Sequence, residues 1–149
     1  MTNTLTPAPH GSSTTTELVD RYVDLWNEPD PDLRRRAIAA LWTSDGAHVL
    51  VPPQELRDAA RAIGFPTMTL EVRGHDELAF RVATAQHDFV AAGGFRFRSR
   101  GDAERLGAVV KFHWEMVPAG GGDVVAVGLE VLLLDEDGLI RADHQFIEA

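Results

Sequence analysis

One change of hydrophobic period divides this chain. As far as Gly93-Gly94 the large apolar residues recur mainly at helical spacing, one short strand at Ala47–Val51 apart, and beyond it they alternate with polar residues. Helical spacing buries one stripe of a helix, whereas alternation buries one face of a strand, so the chain must lay helices on a one-faced sheet. Helices first and an antiparallel meander last define an α+β class.

The first stripe is Leu18, Tyr22, Leu25 and Trp26, opened by Thr14-x-x-Glu17 in a capping-box pattern. Asn27-Glu28-Pro29-Asp30 breaks it, and Asp30-Pro31 suits the cap and first turn of a second helix carrying Leu33, Ile38, Leu41 and Trp42. A strand is expected over Ala47–Val51, stopped by Pro52-Pro53, then a short helix from Glu55 to Ile63. A longer helix is expected from about His75 to Ala92, with Leu78, Val82, Ala85 and Phe89 buried. Strands follow at Phe95–Arg98, Val110–Met116, Val124–Leu134 and Leu139–Ile147, the last two joined by the Asp135–Gly138 turn.

The 149 residues fit one domain, expected over 16–149 behind a flexible, Thr- and Ser-rich tail at 1–15. A formal charge of -9 argues against nucleic acid or an anionic membrane as partner. With no Cys there are no disulfides and no thiolate chemistry, and the six His show no HExxH spacing, so no metal or other cofactor is expected. Neither a basic, apolar leader nor a spanning run is present, which makes a cytoplasmic address the expectation.

The opening Arg21-Tyr22-Val23-Asp24-Leu25-Trp26-Asn27, the strand ending at Pro52, the central amphipathic helix and the Leu134-Asp135-x-Asp137-Gly138-x-Ile140 hairpin resemble, in that order, the nuclear transport factor 2-like superfamily. The relatives in view are its ketosteroid isomerase and SnoaL-like polyketide cyclase branches. The resemblance spans roughly residues 16–147 and implies a cone-shaped α+β barrel, with N-terminal helices packed in the concave face of a strongly curved, mostly antiparallel sheet. It also implies one apolar pocket for a small apolar molecule and a homodimer through the outer sheet face.

Tyr22 resembles the tyrosine of the isomerases, and the competing reading is a stripe aromatic whose hydroxyl takes any partner. Glu130, eight residues before Gly138, stands where the isomerases carry a protonated acid; it either enters the pocket or faces solvent. At the position of the isomerase base this chain has Val51, and His48 reads by alternation as a surface or dimer-contact residue. The last strand, Ala142-Asp143-His144-Gln145, resembles the cyclase segment that carries an acid and a histidine. Two registers compete there. Matching the hairpin glycines turns Asp143 inward, whereas burying Ile140 and Phe146 turns His144 inward.

Tyr22, Glu130 and Asp143 are therefore the candidate catalytic residues, with Trp26, Val51, Phe89, Phe112, Trp114, Leu132 and Gln145 as candidate pocket residues. Two functions remain: a cofactor-independent isomerase or cyclase working by acid/base chemistry on an apolar carbonyl compound, or a non-catalytic ligand-binding or dimeric accessory protein whose isomerase base is lost at Val51. The ordered alternation of Lys111, His113, Glu115 and Arg98 on the outer face predicts a homodimer burying on the order of 1,200–2,000 Å². Sedimentation at micromolar concentration should return a dimer, and a monomer there overturns the expectation.

Overall fold

The computed structural model describes residues 10–148, with side chains from residue 14 onward. In chain order it contains α1 (His10–Asn27), α2 (Pro31–Leu41), β1 (Trp42–Leu50), α3 (Gln54–Ala62), β2 (Leu70–Arg73) and α4 (His75–Ala85), which continues as a π-helical turn over Gln86–Ala91. Five strands follow: β3 (Phe95–Ser99), β4 (Glu104–Leu106), β5 (Val109–Pro118), β6 (Ala126–Leu134) and β7 (Ile140–Glu148). The sheet runs β2-β1-β7-β6-β5-β3, with β4 also on β5; β1 and β7 pair in parallel and all other pairs are antiparallel. The architecture is the expected α+β cone, an open curved sheet with helices against one face.

Sequence explains the helix ends. Asp30 Oδ1 accepts from the Asp32 amide at 2.8 Å, and Pro31 loses nothing at a position whose N–H has no helical partner. Asn27 stops α1 by pairing both ways with the Phe97 backbone, donating to its carbonyl at 2.7 Å and accepting from its amide at 2.8 Å. The stripe residues Leu18, Tyr22, Leu25 and Trp26 join Ile38, Leu41, Leu78 and Val82 in one core over the inner faces of Trp42, Val110, Phe112, Leu132, Leu134 and Ile140.

Several local expectations are corrected. α1 begins at His10, so Thr14 and Glu17 lie inside it and form no capping box; it takes in the last six residues of the expected tail, while residues 1–9 lie outside the described part. β1 starts at Trp42, and its register with β7 breaks between Trp42 and Ala47. Gly46 is needed at that break, because a Cβ there would stand 2.6 Å from Trp42 Cδ1 and 2.9 Å from the Ile140 carbonyl. The π-helical turn rotates the end of the long helix, burying Gln86 and leaving Phe89 42% exposed instead of buried. α3 buries none of its residues.

The two competing registers of the last strand are reconciled by a β-bulge. Leu132 pairs with Asp143 and Leu133 with Ala142, yet Leu134 pairs with Ile140, so Arg141 is an extra residue on β7. Ile140 and Asp143 thus both point inward, three residues apart, and Phe146 is turned out to 45% exposure.

On the outer face, Arg98 and Arg100 both bond Glu115, Lys111 meets Glu104 at 3.3 Å, and His113 lies between Asp102 and Glu148. On the inner face, the Trp114 indole packs against Gly128 of the neighbouring strand. A Cβ at residue 128 would fall 2.1 Å from the ring. The Gly128 backbone is ordinary extended strand, so alanine there meets only the ring. Gly128→Ala should therefore cost about 1–3 kcal/mol by overpacking, read as a lower thermal midpoint with altered tryptophan emission. An unchanged midpoint and spectrum would show that the ring does not rest on this residue.

Candidate functional site

A layer of polar side chains sits directly above the closed apolar core, supplied by adjacent strands and by α1. His48 of β1 is the parallel partner of Asp143 on β7, and Glu130 of β6 is the antiparallel partner of Gln145. Glu130 lies inward with Gly128, Leu132 and Leu134 because alternate residues of β6 share a face. Tyr22 descends from α1 onto this layer.

The polar groups form one network. The Tyr22 hydroxyl donates a hydrogen bond to Asp143 Oδ2. Trp114 Nε1 donates to Glu130 Oε1 at 2.8 Å. His48 Nε2 lies 3.1 Å from Gln145 Oε1 and 3.7 Å from Asp143 Oδ2. Both oxygens are acceptors, which assigns the proton to Nε2 and leaves Nδ1 as the bare, basic nitrogen. Nδ1, Glu130 Oε2 and Asp143 Oδ1 are buried without a hydrogen-bond partner.

Burial sets the electrostatics. It raises the Glu130 carboxyl well above the usual carboxylate range, and the neighbouring Asp143 raises it further. Burial, with Asp143 and Glu130 adding to it, holds the Tyr22 hydroxyl far above its ordinary value. The same desolvation lowers His48, keeping a neutral imidazole the favoured form.

This layer forms the inner end of a cavity of about 1020 Å³. Its walls come from Trp26, Leu50, Val51, Phe97, Trp114 and Met116, with Phe80, Phe89 and Ile147 toward the mouth. Most of the residues expected to line a pocket are there: Tyr22, Glu130, Trp26, Val51, Phe89, Trp114 and Gln145 all border it. Phe112 and Leu132 do not. They lie one residue pair deeper, 1% and 0% exposed, in the closed core. Asp143 is inward but also below the wall, behind Tyr22, so it addresses the cavity through that hydroxyl.

His48 corrects the sequence reading most. It is wholly buried and borders the cavity instead of facing solvent or a second subunit. The expectation assumed that Val51 marks the inner face, but Val51 lies beyond the end of the strand and is 40% exposed. Arg81 of α4 was also missed; it stands half-buried in the cavity wall with its guanidinium carbon 5.5 Å from the Trp26 ring centroid. Its position three residues after buried Leu78 and one before Val82 was the available signal.

No metal was expected from linear spacing, yet His48, Glu130 and Asp143 offer ligand atoms within 4.8 Å of one another. One imidazole and two carboxylates make a donor set that a divalent cation accepts. Each of the three side chains already has one atom engaged by Gln145, Trp114 or Tyr22. Among the described residues, no helix is long and apolar enough to cross a membrane.

No protein-family model and no curated protein matches the chain. Solved structures do. A candidate isomerase of the SnoaL-like family from Agrobacterium tumefaciens str. C58 is 23% identical, with a TM-score of 0.72 over 92% of this chain and 99% of that one. An NTF2-like protein of unknown function from Mesorhizobium loti is 17% identical, with a TM-score of 0.61 over 99% and 100%. A protein of unknown function with a cystatin-like fold from Nostoc punctiforme PCC 73102 is 15% identical, with a TM-score of 0.62 over 97% and 96%. These likenesses show the fold: the chain has the cystatin-like, NTF2-like α+β fold that these structures share.

Proposed function

We propose that the protein is a cofactor-independent isomerase or cyclase that moves a proton on an apolar carbonyl compound held in the cavity. The observation that carries this reading is a neutral acid and a neutral base at one buried end of an apolar cavity: Glu130, raised by burial, and His48, lowered by it. Glu130 donates to the carbonyl oxygen as charge develops there, and His48 Nδ1 takes the proton from the adjacent carbon. The resulting enol is reprotonated at another carbon by the His48 imidazolium while its O–H proton returns to the Glu130 carboxylate, which restores both groups. Asp143 is then a positioning residue that fixes the Tyr22 hydroxyl, and Tyr22 closes the polar layer beside Glu130. Pairing through the outer sheet face into a homodimer belongs to the same proposal.

Val51 favours a second reading. It stands where the isomerases place their base, and His48 and Glu130 are both 0% exposed, so a ligand reaches them only if the covering side chains move. A binder with no chemistry would keep the same cavity.

Exchange of the α-protons of 2-tetralone in D2O, followed by NMR, separates the two. The wild-type protein should accelerate exchange, with Glu130→Gln losing about 10²- to 10³-fold and His48→Gln about 10²- to 10⁴-fold. Binding of the ketone with no acceleration would favour the second reading.

Stability should carry the opposite mark. Glu130 has a folded pKa above its unfolded value of about 4.3, so between the two the native state holds a proton that the unfolded state has lost. Stability falls as pH rises through that window. Glu130→Gln cannot ionise and keeps an acceptor for Trp114, so its thermal midpoint should gain on wild type from about pH 4.3 upward. A difference that does not vary with pH would show that the carboxyl is not held up by the fold.

A further inference from the structure

Arg81 is the charged group that the acid/base reading leaves unused. Among the described residues its guanidinium has no hydrogen bond and no ion pair, and its Nε is buried without a partner. The other charges around the cavity are engaged: Arg57 donates from Nε to the Pro52 carbonyl at 3.1 Å, Glu71 meets Arg73 at 3.3 Å and Glu148 meets His113 at 2.9 Å. Tyr22, Glu130 and Asp143 are near enough to act on its charge, yet none forms an ion pair with it. Glu130 is occupied by Trp114 and held toward its neutral form, and Asp143 accepts from Tyr22.

A guanidinium keeps its charge at any pH a protein survives, so here a permanent cation faces an apolar cavity with the Trp26 ring beside it and, among the described residues, no ion-paired acid. A ring face offsets part of the cost of desolvation, but it satisfies none of the five N–H donors. What the planar fork matches is a carboxylate, bonded by two parallel N–H groups.

We infer that Arg81 is the anion anchor of the cavity, and that the natural ligand is an apolar carboxylate whose acid group docks on this guanidinium. The inference rests on the cavity being the ligand site, and it narrows the ligand from an apolar carbonyl compound to one that also carries an acid. The ligand then lies with its apolar body along Trp26, Phe97 and Met116 and its charge at α4. The permanent charge of Arg81 also gives selectivity, since a neutral ligand of the same shape leaves the guanidinium desolvated and unpaired.

Calorimetric titration with 2-naphthylacetate and its neutral isostere 2-naphthylacetamide tests this on the full chain. Wild type should bind the acid at least about tenfold tighter than the amide, the size of one good charge-assisted bond. Arg81→Gln should bring the two affinities within about twofold by weakening the acid alone. Arg81→Lys, which keeps charge but loses the fork, should retain part of the preference, and far-UV circular dichroism reports whether each variant is folded. Equal affinities in wild type, no binding of either compound at millimolar concentration, or an acid preference that survives in folded Arg81→Gln would each overturn the inference. A wild-type ratio near one overturns the inference even if neither variant folds. Glu130→Gln separates the two proposals, because it should slow tetralone exchange by about 10²- to 10³-fold and leave the acid preference in place. Exchange without acid preference defeats the anchor alone, and acid preference without exchange in wild type defeats the catalytic reading alone.

Discussion

Arg141 occupies a place on β7 that has no counterpart on β6, and the arrangement of the polar layer follows from that surplus residue. A strand of even period would have to choose between sealing the core with Ile140 and bringing Asp143 inward. The bulge permits both, changing the strand's phase between the closed end of the cone and its open part. Above the bulge, β7 delivers Asp143 and Gln145 to the face where β1 delivers His48 and β6 delivers Glu130. Below it, the same strand is part of an ordinary apolar core.

Putting two carboxyls and an imidazole out of reach of water is costly, and the structure limits the cost by neutralisation and by donation. Glu130 is held toward its protonated form, while the Tyr22 hydroxyl and the Trp114 indole each supply a donor to one of the acids. Three polar atoms nonetheless remain without partners in the same layer. Buried groups left in that condition are a burden on folding and concentrate where chemistry or binding is done. The apolar floor of Trp42, Phe112, Leu132 and Ile140 lies directly beneath, and its dense packing is what makes such a layer tolerable.

The class of fold was legible because the period of the apolar residues changes at one glycine pair, and no packing detail is needed to see it. Glu130 was legible for a related reason: a single carboxylate in an apolar strand has few places to go. His48 was not, since its inward face is set by a parallel pairing with residues nearly a hundred positions later, and local alternation was referred to Val51, which the strand does not include. The choice between Asp143 and His144 was undecidable from alternation because a bulge leaves no trace in it. Phe112 and Leu132 were assigned the right face but not the right depth, as depth depends on register between strands. Arg81 looked like any polar residue of an amphipathic helix, and only the curvature of the sheet around α4 encloses it.

The glycine at residue 128 bears on how anything enters this cavity. Its missing side chain leaves the space that the Trp114 ring occupies while offering an N–H to Glu130. That is a planar apolar plate with one polar edge, directed at the very carboxyl an incoming molecule would seek. Because the indole holds Oε1, it leaves Oε2 as the oxygen that a guest of the proposed reaction would meet. A side chain at residue 128 would therefore disturb the acid through its own donor, without altering any residue that performs chemistry.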